Sequence, residues 1–382
     1  MTSSYDAIVI GLGGMGSATA YQLAQRGKRV LGIEQFTSPH ERGSSHGKSR
    51  IIRQAYFEHP AYVPLLQRAY ELWQQIEHDT QQSLLTLTGG LMLGPPESAT
   101  VAGSLHSAQQ HDLPHEVWDA AEIHRRVPPL CPPPGTVALY ERKAGILRPE
   151  VSIAAHLQRA AQLGADLHFQ EPVLDWRTMD SGVEVTTAQG QYHAERLVIT
   201  PGPWASHLLK LDLPLVVERQ VLYWFQPTTG IEPFLSDRLP IYIWETEDGV
   251  QFYGFPAHDS LHDGAKIAFF RMGQVCTPDT IDRTVYDSEI AKMRHYIDIY
   301  IPTLNGILLN TATCMYTNTP DTQFVIGLHP IYPQVVIASP CSGHGFKFAS
   351  VVGEILADLA LSGTTLHPLD LFAPDRFQGT RG

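Results

Sequence analysis

The chain has 382 residues, 43% hydrophobic and 17% charged, an ordinary globular composition with apolar material for a large core. At roughly 150 residues per domain, that length suggests two or three domains. Lys and Arg total 27 against 39 Asp and Glu, and the formal charge of −12 offers no long-range attraction to nucleic acid or an anionic membrane. Four cysteines, at 131, 276, 314 and 341, show neither CxxC spacing nor a metal-ligand pattern, which suits a reducing compartment. MTSSYDAIVIG lacks a basic n-region, and no apolar run nears the ~20 residues that span a bilayer. The expectation is a cytoplasmic protein with no metal, no nucleic-acid partner and no membrane partner.

Tyr5–Ile10 reads as a buried strand, followed by glycines, an amphipathic stretch from Met15 to Gln25 and a second strand over Arg29–Glu34. That order opens a dinucleotide-binding βαβ unit. Gly11-Leu12-Gly13-Gly14-Met15-Gly16 fits GxGxxG at the right place. Gly11 makes the tight turn, Gly13 lets backbone amides approach a pyrophosphate, and Gly16 lets helix and strand pack closely. The helix N-terminus favours the anion. Glu34, about 20 residues on, can accept hydrogen bonds from a ribose hydroxyl. The pattern alone does not separate FAD from NAD, although its place near the N-terminus leans toward a flavoprotein.

Residues 35–50 form a Ser/Gly/His/Pro loop, and 63–78 have helical spacing. From about 84 to 145 come short strands, a polar helix and a proline cluster at 128–134. A helix near 150–163 and strands up to Thr200 follow, with a hairpin turning near Gln189-Gly190. Residues 214–275 alternate apolar and polar over several strands, with a turn at Asp248-Gly249, and a helix near 286–300 comes next. The end reads strand, glycine loop and helix, with Val351, Ile355 and Leu359 at i, i+4, i+8. The expected fold class is α/β with two interleaved domains. Residues 1–84, 146–213 and 314–382 make a Rossmann-like nucleotide-binding domain; 85–145 and 214–313 make a substrate domain on an antiparallel or mixed sheet.

Four long segments carry a more specific signal: GSSHGKSRIIRQAYFEHPAYVPL (43–65), YGFPAHDSLHDGAKIAFF (253–270), ATCMYTNTPDTQFVIGLHP (312–330) and SGHGFKFASVVGE (342–354). Together, in order and essentially end to end, they resemble the monomeric sarcosine oxidase and N-methyltryptophan oxidase family. The resemblance implies a monomeric FAD enzyme that oxidises a secondary amino acid, N-methyl or cyclic, to an imine while O2 becomes H2O2.

Residue by residue, it implies a thioether between Cys314 and the 8α-methyl of FAD, the 8α-S-cysteinyl link. By residue type alone Cys314 is a small buried core residue, and thiolate chemistry there needs a cationic neighbourhood. Cys131, Cys276 and Cys341 carry no such context. Arg53 and Lys347 match the family's substrate-carboxylate binders, the Arg fork being suited to a carboxylate; unaided, each reads as a surface charge. Arg50 and His46 match residues beside the isoalloxazine, where fixed positive charge favours electron flow into the ring; otherwise they order their loop. Lys266 matches the lysine that activates oxygen, although its type alone reads as an exposed strand lysine. Tyr253 and Tyr316 become substrate-site residues, against a bland reading as core aromatics. Ser49, Val173, Gly343, Gly345 and again Lys347 match cofactor contacts.

Two departures stand out. The family's loop usually reads His-His-Gly-Asp, and here it is Ser45-His46-Gly47-Lys48. Four residues after the oxygen-activating lysine, the best-known members carry a histidine where this chain has Phe270. Losing a polar ring there counts against sarcosine itself and favours a bulkier or cyclic secondary amino acid, such as an N-methyltryptophan- or pipecolate/proline-type substrate. Rival readings are a dehydrogenase on the same scaffold and, in another class, a non-catalytic flavin-binding subunit.

Overall fold

The computed structural model describes residues 4–258, 260, 262–339 and 342–377, so Cys341 lies outside the described residues. Two large sheets share the chain. In the eight-stranded sheet, Ser4–Ile10 runs parallel to both Val30–Ile33 and Gln191–Ile199, and Gln191–Ile199 runs parallel to Val335–Ala338. Parallel strands covered on both faces need continuous apolar runs. Accordingly Ala7, Ile8 and Val9 are all fully buried. The period of two then divides them: Ala7 and Val9 join one apolar cluster, Ile8 and Ile10 another.

The first cluster is roofed by three helices, Gly14–Gln25, Pro149–Gln162 and Ala349–Ser362. Val351, Ile355 and Leu359 all lie in it, so their spacing marks the helix's buried stripe. The helix expected near 150–163 starts with Pro149 in its first turn, where the missing N–H costs nothing. The helices expected over 63–78 and 286–300 are Tyr62–Thr80 and Asp287–Tyr300.

The nine-stranded sheet is mostly antiparallel, with Val216–Phe225 pairing Ala265–Phe269, Gln274–Cys276 and Leu308–Asn318. Leu308–Asn318 is one continuous strand of this sheet, so the domain boundary expected at 314 falls inside it. A third, three-stranded sheet pairs Arg50–Ile52 and Leu85–Leu87 with Gly145–Leu147. Arg50–Ile52 lies at the edge of what the sequence reads as loop; three residues after a Ser/Gly run are too few to show a period. Among the described residues, no helix is long and apolar enough to cross a membrane.

Candidate active site

One cavity runs from the glycine loop to the face of the nine-stranded sheet. At its first end, Gly11 turns with φ +85°, and a Cβ there would stand 2.5 Å from the Thr200 carbonyl oxygen. A Cβ on Gly16 would lie 1.7 Å from the Gly11 oxygen, which leaves room for nothing but hydrogen. Gly16 therefore sits behind the wall, letting the helix close on the strand, while Gly11 and Gly13 face the cavity. The space beside Gly13 is open, with no atom within 4 Å of a built Cβ. Glu34 is buried and accepts from the Leu12 N–H at 2.9 Å and the Phe36 N–H at 3.0 Å. It holds the glycine loop to its own strand end while facing the cavity. Val173 also lines this end, next to Glu171, whose carboxylate takes bonds from Thr187, Tyr192 and His168.

The other end is built by strand alternation. Registry puts Leu222 opposite Ala268 and Ala312, Trp224 opposite Lys266, Phe255 opposite Lys266, and Tyr253 opposite both Ile243 and Ala268. Gln220 stands opposite Cys314, so Cys314 and Tyr316 share that sheet face with Lys266. Cys314, Tyr316, Tyr253 and Phe270 line the cavity. Phe270 meets Tyr316 edge-on with ring centres 6.1 Å apart and Tyr253 at 6.5 Å. The Tyr253 and Tyr316 hydroxyls lie 3.4 Å apart.

Three of the expected site residues stand behind this wall. Lys266 is fully buried, not an exposed strand lysine. Its Nζ donates to the Gly47 carbonyl at 2.8 Å, the Ser49 carbonyl at 3.0 Å and Ser49 Oγ at 3.1 Å. Burial, then the Arg50 charge, drives its pKa well below the ordinary lysine value. Ser49 is thus a partner of Lys266. His46 is buried too, its pKa pushed down to about 3 by burial and by Arg50, and its Nε2 has no partner among the described residues. Arg50 reaches the cavity and is held by the Ser49 and Ser44 carbonyls at 2.8 and 2.6 Å. Burial raises the Cys314 thiol, while Arg50, Lys266 and Arg283 pull it back.

Arg53 and Lys347 line the same cavity, and both are buried. Arg53 lies over Tyr56 and Phe57, donates to the Ala55 carbonyl at 2.7 Å and pairs with Glu58 at 2.6 Å. Its Nε has no partner among the described residues. Lys347 Nζ donates to the His344 carbonyl at 2.8 Å. Burial first, then Arg53, pushes Lys347 down to about 7. Burial pushes Glu58 up, but the Arg53 charge, with Lys347 behind it, outweighs burial and holds the carboxyl at about 2. Gly343 and Gly345 complete the turn that carries Lys347 into the cavity.

Sequence reasoning passed over Glu58 and His344, although both lie inside quoted segments. His344 accepts from the Tyr56 hydroxyl at 2.5 Å with Nε2 facing the Thr322 carbonyl at 3.0 Å, so it is neutral and locked. A buried Arg calls for an anion close by, and Glu58, five residues on, was the available signal. The described cysteines, Cys131, Cys276 and Cys314, are all unpaired.

The residues fit a dinucleotide cofactor at one end, with an open glycine cradle, a helix N-terminus and a buried carboxylate. At the other they bring Arg53, its partner Glu58 and Lys347 together in the cavity wall. Residues 6–359 match the FAD dependent oxidoreductase family. The monomeric sarcosine oxidase of Streptomyces avermitilis is 58% identical over 378 residues, covering 98% of each chain. An N-methyl-L-tryptophan oxidase of Escherichia coli is 36% identical over 379 residues, covering 98% of this chain and all of that one. Among solved structures, a variant of NikD, described as an unusual amino acid oxidase essential for nikkomycin biosynthesis, aligns with a TM-score of 0.86. It is 25% identical and covers 98% of both chains. The chain belongs to the FAD-dependent oxidoreductase family, in its branch of monomeric sarcosine and N-methyl-L-tryptophan oxidases.

Proposed function

We propose that this chain is an FAD-dependent oxidase of N-methyl amino acids and related secondary amino acids, working as a cytoplasmic monomer. The observation that carries this reading is the pair of buried cations, Arg53 and Lys347, lining the same cavity as the glycine fingerprint and Cys314. A buried arginine whose Nε has no partner among the described residues, with a lysine beside it, suits one incoming carboxylate. The curated relatives named for sarcosine and N-methyl-L-tryptophan support the substrate class.

Gly11, Gly13 and the helix N-terminus would hold the pyrophosphate, Glu34 the ribose, and Arg50 and Cys314 the ring end. When bound, FAD supplies the two-electron acceptor for the hydride that leaves the carbon beside nitrogen. Arg53 and Lys347 grip the carboxylate and so fix that carbon. Tyr253, Phe270 and Tyr316 wall the amine end and exclude water. Phe270 makes this wall apolar and favours a substrate larger than sarcosine. The imine product is hydrolysed by water after release. Lys266 stabilises the negative charge that dioxygen acquires as it takes its first electron.

We also propose the 8α-S-cysteinyl link at Cys314. Its place in the cavity wall with Arg50 supports it: burial raises the thiol, and Arg50 is the foremost charge pulling against that rise. Acid-precipitated protein should leave a yellow pellet, and Cys314→Ser should leave a colourless one. A colourless wild-type pellet removes the tether and leaves the rest intact.

The reading as a whole is tested by mixing holoprotein anaerobically with a panel of secondary amino acids. At least one should bleach the flavin's visible absorption; a panel that bleaches nothing rules the oxidase reading out.

A further inference from the structure

Arg53 does not hold itself in place. It sits at the start of a bend, residues 53–58, that follows the short strand Arg50–Ile52 and leads toward the helix Tyr62–Thr80. Its NH1 donates to the carbonyl of Ala55 two residues on. The direction of the guanidinium therefore depends on that carbonyl together with the Glu58 carboxylate of the same bend, 2.6 Å from NH2. The Gln54–Ala55 backbone is in turn gripped from another sheet. Glu141, the last residue of Val137–Glu141 in the nine-stranded sheet, accepts the Gln54 N–H at 2.9 Å on each carboxylate oxygen. It also accepts the Ala55 N–H at 2.8 Å. Ser107, on the helix Ala99–Gln110, fastens the next residue by donating to the Tyr56 carbonyl at 2.5 Å.

Glu141 is 2% exposed. A carboxylate taken out of water is costly unless fixed donors replace the solvent, and these backbone N–H groups are such donors. Burial still pushes its pKa up, while the Ala55 and Gln54 N–H bonds and the Arg53 charge pull it down. A purely structural acid need not meet these particular peptide units. This one closes on the two peptide units immediately before the Ala55 carbonyl that Arg53 bonds.

We infer that Glu141 is a positioning residue for carboxylate recognition, fastening the Arg53 bend to the nine-stranded sheet so that the guanidinium keeps its aim into the cavity. The inference rests on the reading that Arg53 grips the substrate carboxylate. Glu141 touches neither substrate nor cofactor. Its effect is on binding, because the acid group is held equally before and during hydride loss.

The test compares Glu141→Gln, Ser107→Ala and Arg53→Met holoproteins with the wild type, using whichever secondary amino acid bleaches the wild type best. Glu141→Gln keeps the shape but turns N–H donors toward the bend, and should raise KM about tenfold with kcat nearly unchanged. Its dissociation constant for a simple carboxylate such as acetate, read from the flavin spectrum, should rise in step. Ser107→Ala loosens the same bend elsewhere and should give a smaller rise of the same kind, which keeps the inference testable if Glu141→Gln does not fold. An unchanged KM in folded Glu141→Gln, or a fall in kcat with KM constant, overturns it. An unchanged KM in Ser107→Ala counts against it as well. If Arg53→Met itself leaves KM and acetate binding unchanged, the carboxylate reading has failed instead.

Discussion

Lys266→Met is expected to slow flavin reoxidation by dioxygen about a hundredfold or more, while reduction by substrate stays within about threefold of wild type. The reason is where the charge sits. Nζ is wholly buried, held by two carbonyls and a hydroxyl, and 3.6 Å from where a Gly47 Cβ would stand. Its ammonium is also over the Trp224 and Phe255 rings, at 5.4 and 4.9 Å from their centres. Two carbonyls and a hydroxyl accepting from Nζ favour the charged form against the burial that lowers its pKa, and a cation so placed is worth far more to a forming anion than one in water. Met keeps the length and removes the charge, so packing is disturbed little. Stopped-flow measurement of the two half-reactions separates the effects. Equal slowing of both would assign Lys266 to building the ring site and not to oxygen.

Arg53→Met should raise KM about a hundredfold, since a charge-assisted pair is worth about 3 kcal/mol and each 1.4 kcal/mol is about tenfold. It should also destabilise the fold. Glu58 is buried beside Arg53 and held ionised by it, so removing the partner strands a charge at about 3–5 kcal/mol. Adding Glu58→Gln should recover most of the lost thermal stability without recovering KM. That split distinguishes recognition from folding. Recovery of both together would mean that Arg53 acts only through the ion pair.

The nucleotide end of this cavity was legible in the chain because its demands are local. The turn at Gly11, the contact of Gly16 with the Gly11 carbonyl and the carboxylate at Glu34 all follow from short-range spacing. The sheet face was half legible. Alternation puts Lys266, Ala268 and Phe270 on one side, but it cannot say which side is covered. The loop carrying Gly47 and Ser49 covers that side, and only then is Lys266 a buried cation. Cys314 followed the same rule: its face is set by Gln220 across the ladder. Glu141 was illegible because its partners are peptide N–H groups, which carry no residue identity. Glu58 and His344 stood in segments already quoted, and the five-residue spacing of Arg53 and Glu58 becomes a signal only once the arginine is known to be out of water.

The most direct measurement mixes the oxidised holoprotein, without oxygen, with an N-methyl amino acid and separately with the same amine lacking its acid group. Rapid loss of flavin absorbance with the first and little or none with the second is the predicted outcome. Equal bleaching by both, or by neither, contradicts oxidation of an amine held by its carboxylate.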